Sequence, residues 1–253
     1  MLVDGECIDQ EFTITTTDTS DFSFSISAEG TYYPDCGNGD GVRTINKTST
    51  GAETFTCTNR TSTTIGLSGQ ATGYYTADDG RRAAVGFSWG DNVNATANHY
   101  TAKISGSLGA IFGTLPDGTQ PRFNYTFYQS PNLTGTIPEN LFSGIQGQPI
   151  SYMFDGTFFK TGLTGQIPGG LFKDIVGKPV TFLFTSTFSD NYNLVSTIPS
   201  ELFSGIQGAP APLMFYQTFY KNSKMNGEIP ADLFAKIKGA PAKQMFRQTF
   251  AGC

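Results

Sequence analysis

One repeat governs the second half of this chain and limits what it can fold into. Thr-Phe recurs at Thr126-Phe127, Thr157-Phe158, Thr187-Phe188, Thr218-Phe219 and Thr249-Phe250, in steps of 31, 30, 31 and 31 residues. Ile-Pro recurs at Ile137-Pro138, Ile167-Pro168, Ile198-Pro199 and Ile229-Pro230, each Ile 20 residues before the next Thr. The one-residue variation therefore falls wholly in the turn between Thr-Phe and the next Leu. A fixed stretch joined by an elastic turn describes units that bury their apolar faces only against their neighbours.

One unit reads from Leu133 to Thr161. Leu133 to Ile137 is extended, and Pro138 ends it at a position suited to the start of a helix. Leu141, Phe142 and Ile145 share one helical face. Gly147, matched by Gly177, Gly208 and Gly239, suits a left-handed cap. A second short helix would carry Met153, Phe154, Thr157 and Phe158 inward. The spacing predicts a short strand and two short helices per unit. Of the 22 Phe residues, seventeen follow Ile111, and fourteen of those fill three repeated positions. Burying one such ring fully is worth roughly 1.5–3 kcal/mol, so these positions are read as core.

The first half has a different period. Glu11 to Thr15 and Asp21 to Ser27 alternate polar and apolar residues, as do runs at 53–57, 84–89 and 100–104. Period-two alternation means one buried and one wet face. Turn clusters at Gly37 to Gly41 and Asp78 to Gly80 separate the runs. The expected architecture is an Ig-like β-sandwich over residues 1–110, leading or capping a repeat region over 111–253.

Cysteine and charge narrow the setting. Four cysteines allow three connectivities, and the 21-residue interval between Cys36 and Cys57, in strand-like sequence, makes that pair the leading one. The pairing of Cys7 and Cys253 stays open. Five N-x-S/T sequons begin at Asn46, Asn59, Asn94, Asn124 and Asn132, the pattern of surface loops able to carry glycans. The first residues lack the basic and apolar regions of a signal peptide, so export is expected by a removed signal or another route. No apolar run is long enough to span a membrane. A net charge of −5 argues against a nucleic-acid surface.

At the repeat residues a family likeness emerges. The units Phe-x-x-Thr-Phe, Leu-Thr-Gly-x-Ile-Pro and Leu-Phe-x-x-Ile resemble leucine-rich-repeat surface proteins, particularly the bacterial BspA-like ones with Ala-Phe-x-x-Cys, Leu and Ile-Pro in each coil. Cys253 alone fills the Cys position; Ser130, Thr161, Asn191 and Asn222 stand there in earlier units. Leu133 to Pro138 is also similar to the L-x-G-x-I-P element of plant-type repeats. The period of 30–31 is longer than in either, and a regular L-x-x-L-x-L strand is missing. The front segments Phe22-Ser23-Phe24 and Tyr33 to Gly37 resemble the β-rich leaders of such proteins. The resemblance covers residues 112 to 253. It implies an α/β leucine-rich-repeat-like solenoid of about four and a half units, used for adhesion or recognition, with no catalytic residue to carry over.

Candidate sites are few. The column after Thr-Phe reads Tyr128, Phe159, Ser189, Tyr220 and Ala251. With Tyr216 it forms a broken aromatic stripe able to hold a sugar face or a partner protein, unless the rings pack beneath the elastic turn. The loop Asp35 to Gly41 approaches a calcium formula but places Cys36 first and Lys47 at the bidentate position, so a turn is the better account. His99 is the one histidine, and no carboxylate column follows Ile-Pro. No catalytic set, metal site or cofactor is expected, and the chain is read as no enzyme. The leading expectation is an extracellular or cell-surface structural and adhesive glycoprotein that contacts other subunits. Self-assembly would use an uncapped C-terminal face, or the chain would be a segment of a longer protein. The alternative is a glycan- or host-receptor-binding attachment protein using the exposed aromatics.

Overall fold

The computed structural model describes residues 10–77, 82–87, 101–195 and 197–253, with residues 2–3 and 6–7 described by backbone pairing alone. The N-terminal half contains β1 (Leu2–Val3), β2 (Glu6–Cys7), β3 (Phe12–Thr16), β4 (Phe22–Ile26), β5 (Glu29–Tyr32) and β6 (Ile45–Lys47). It continues with β7 (Glu53–Cys57), β8 (Thr64–Leu67), β9 (Gly69–Gly73), β10 (Val85–Gly86) and β11 (Ala102–Gly106), then a single helical turn, α1 (Leu108–Ile111).

The expected Ig-like sandwich is not what forms. The strands fall into three antiparallel sheets of three, β10-β4-β7, β11-β3-β8 and β6-β5-β9, beside the β1-β2 pair. Alternation still decides which residues turn inward. Phe12, Ile14 and Thr16 of β3 are buried while Thr15 is exposed, and Ile14 sits between Ile104 and Ile65 across the sheet. Phe24 faces Phe55 on β7, ring centroids 5.8 Å apart. The strands are too short, at two to five residues, to make two broad facing layers. Cys36 and Cys57 form a disulfide that ties the end of β7 to the loop after β5.

The repeat half overturns the α/β solenoid. Among the described residues helix makes up 2% and strand 22%, and no α/β repeat helices form. Each unit instead contains a ribbon of consecutive turns, such as 151–160, 181–190 and 212–221. Alternate N–H groups go in two directions. In one ribbon Met153, Asp155, Thr157 and Phe159 donate to the carbonyl three residues back. Between them Tyr152, Phe154, Gly156, Phe158 and Lys160 donate to Thr181, Leu183, Thr185, Thr187 and Ser189 of the next unit, at 2.8 to 3.2 Å. Backbone polar groups buried by the stacking are thus paired without helix or extended strand.

This geometry needs a left-handed residue every fourth position. Twelve of the thirteen non-glycine residues with positive φ lie between Tyr125 and Gln248, for example Phe182, Ser186 and Asp190 in one ribbon. Such a conformation costs roughly 1–2 kcal/mol per residue, and the cross-unit bonds and ring stacks offset it. Phe154, Phe184, Phe215 and Phe246 stack in sequence 5.6 to 5.8 Å apart and nearly parallel. Phe127, Phe158, Phe188, Phe219 and Phe250 form a second column at 5.5 to 5.6 Å.

The two halves share one hydrophobic core. Ala84 and Phe87, flanking β10, donate to the carbonyls of Arg122 and Thr126, and the Thr126 hydroxyl donates to Val85. Phe87 stacks on Phe127 at 5.6 Å. Behind them, Leu108 and Gly109 of α1 both donate to the Leu141 carbonyl. Gly109 permits this approach, because a Cβ there would lie 2.2 Å from the Ser143 carbonyl oxygen. The β-rich half therefore covers the acceptor edge of the first ribbon.

Candidate functional site

The ribbons position the aromatic residues singled out in the sequence. Beside the inward Thr-Phe pairs, Tyr128, Phe159 and Tyr220 sit half-buried, and Ala251 is exposed. Tyr128 stacks on Phe159 at 4.8 Å and 16°. The stripe then breaks, because Ser189, next in that column, is fully buried. Tyr125 meets Tyr128 edge-on at 5.0 Å.

These rings border an open cavity of about 240 Å³ that crosses four units. Tyr125 and Tyr128 come from the first, Phe159 from the second, Phe182 from the third and Tyr216 from the fourth. Gly156 keeps the floor clear: at φ 60°, a Cβ there would lie 2.7 Å from the Tyr125 ring. Asp155, only 3% exposed, lines the same space and accepts a hydrogen bond from the Tyr125 hydroxyl at 3.1 Å. Thr185 and Ser186 add hydroxyl groups. Ring faces with a few fixed polar groups suit a ligand that has an apolar face and a hydroxylated edge.

Three of the four predicted binding residues, Tyr128, Phe159 and Tyr216, are therefore brought together. Tyr220 is half-buried elsewhere, outside the lining of this cavity, with the Lys221 ammonium 5.0 Å from its ring centre. A side-chain hydrogen bond from Lys221 to Tyr220, aided by the phenol's charge, raises the ammonium pKa above its ordinary value. Tyr125, Asp155 and Phe182 were not among the sequence candidates. Tyr125 and Phe182 hold left-handed positions, and the signal that could have found them is an aromatic residue at a point set by the four-residue ribbon period.

The remaining site residues are dispersed. Asn46 and Asn59 are exposed and Asn132 is half-buried. Asn124 is 1% exposed and has no protein hydrogen-bond partner for either side-chain atom. A glycan on Asn124 has no room in this fold, which removes it from the expected glycosylation set. Asn94 and His99 lie outside the described residues. Among the described residues no cluster of three metal-ligating side chains occurs, and no helix is long and apolar enough to cross a membrane.

Comparison with known proteins adds nothing to this picture. The chain matches no family model, no curated protein and no solved structure.

Proposed function

We propose that this chain is a non-enzymatic, extracellular attachment protein that holds a carbohydrate against the aromatic groove between Tyr125 and Tyr216. The observation that carries this reading is the meeting of Tyr128, Phe159 and Tyr216, from three units, around one open cavity. A sugar ring offers C–H faces that pack on aromatic rings and hydroxyls that bond to carboxylate, hydroxyl and backbone groups. Asp155, held by Tyr125, supplies an acceptor beside the rings. The Cys36–Cys57 disulfide and the exposed sequons at Asn46 and Asn59 support an oxidising, extracellular setting.

A solution screen of neutral oligosaccharides by saturation-transfer NMR tests the reading. The expected result is transfer to the C–H protons of at least one sugar class, from the Tyr and Phe resonances. Absence of transfer to every sugar at millimolar concentration would remove carbohydrate from consideration.

A further inference from the structure

We infer, resting on the carbohydrate reading of the groove, that its ligand is an extended chain of several sugar residues, of the β-1,4-linked kind, laid obliquely across the ribbons. Tyr125, Gly156 and Ser186 hold the same place in successive ribbons, donating to the carbonyls of Asp155, Thr185 and Tyr216 at 2.8 to 2.9 Å. Against that register the cavity lining drifts. The first ribbon contributes Tyr125 and Tyr128 from its later part, and the fourth contributes Leu213 and Tyr216 from its earlier part. The open space therefore crosses the units on a diagonal.

Successive units lie 5.5 to 5.8 Å apart in the two phenylalanine columns. The first and fourth ribbons are three such steps apart, beyond the reach of one pyranose ring. Chemistry changes along the diagonal as well. At one end Tyr128 and Phe159 stack 4.8 Å apart, and Tyr216 stands at the other. Between these ends lie Asp155, Thr185 and Ser186. The Thr185 hydroxyl donates to the Leu213 carbonyl at 2.6 Å, which leaves its oxygen to accept. The Ser186 hydroxyl has no partner among the described residues, so it can donate to a ligand and accept from one. Ring faces at both ends, with hydrogen-bonding groups between them, match two pyranose faces joined by a hydroxylated stretch. A single sugar fills only part of that pattern. A path along one line also suits a β-1,4-linked hexose chain, which stays extended, over an α-1,4-linked one, which coils.

Calorimetric titration of the full chain with glucose, cellobiose, cellotetraose and cellohexaose, and with the matching N-acetylglucosamine series, tests this. Affinity is expected to rise about tenfold or more from monosaccharide to tetrasaccharide, then level off at the hexasaccharide, whose added residues lie beyond the groove. Maltotetraose, equal to cellotetraose in composition, is expected to bind more weakly. Tyr216→Ala, at the fourth ribbon, should remove most of the gain with length, whereas Tyr220→Ala, outside the groove, should keep it. Tyr216→Phe retains the ring and should retain the gain, which separates a lost platform from a disturbed fold. Equal affinity for monosaccharide and tetrasaccharide would overturn the extended chain while leaving carbohydrate binding in place. So would a rise only in proportion to the number of residues, the statistical gain of a one-residue site, or a preference for maltotetraose. No binding at any length would remove the extended chain and the carbohydrate reading together.

Discussion

Asn191 shows how much one side chain does inside the stack. It is fully buried, its amide oxygen accepts from both the N–H and the hydroxyl of Thr161, and its amide nitrogen donates to Phe158. Asn222 repeats the device by accepting from the Asn191 N–H at 2.8 Å. Replacing Asn191 with Ala strands the Thr161 N–H and the Phe158 carbonyl, at roughly 1–3 kcal/mol for each buried group left unpaired. Urea denaturation should therefore show a loss of several kcal/mol. Asn124 gives the opposite case, equally buried but without a protein partner. Asn124→Ala abandons no side-chain bond and is expected to lower the urea midpoint less than Asn191→Ala does. A large loss there, or none at Asn191, would contradict the bonding described.

The ribbon, at the scale of the element, is where the sequence misled. Apolar pairs at Met153-Phe154 and Thr157-Phe158 repeat every four residues, and over eight residues a period of four cannot be told from 3.6. The choice is made between units: isolated helices this short are marginal, whereas a ribbon bonds every second N–H to its neighbour. Its left-handed positions carry Tyr, Phe, Leu, Gln and Lys far more often than Gly, so the usual turn residues gave no warning. Lys160, exposed at φ 54°, isolates this backbone demand. Lys160→Val should be less stable than Lys160→Gly by roughly 1–2 kcal/mol, read by thermal or urea unfolding. Equal stabilities would mean that the left-handed ribbon is not the solution structure.

Across the whole molecule, the 31-residue period, the inward Phe columns and the Cys36–Cys57 pair were legible in the sequence. The repeat positions that it marked as core are buried at Phe154, Phe184 and Phe215 alike. The division of short strands into three small sheets was not legible, because pairing between segments such as β4 and β7 is a long-range choice that alternation does not encode. The groove was half legible. Tyr128, Phe159 and Tyr216 stand close to Thr-Phe, while Asp155 and Phe182 join them only once the ribbons stack. That gathering of residues from separate units is the central claim, and titration calorimetry with the best sugar from the NMR screen tests it most directly. Tyr216→Ala, which removes one wall of the groove, is expected to weaken binding at least tenfold, about 1.4 kcal/mol. Tyr220→Ala, outside the groove, is expected to bind like wild type. Equal affinity in both variants, or a loss confined to Tyr220→Ala, would contradict the account.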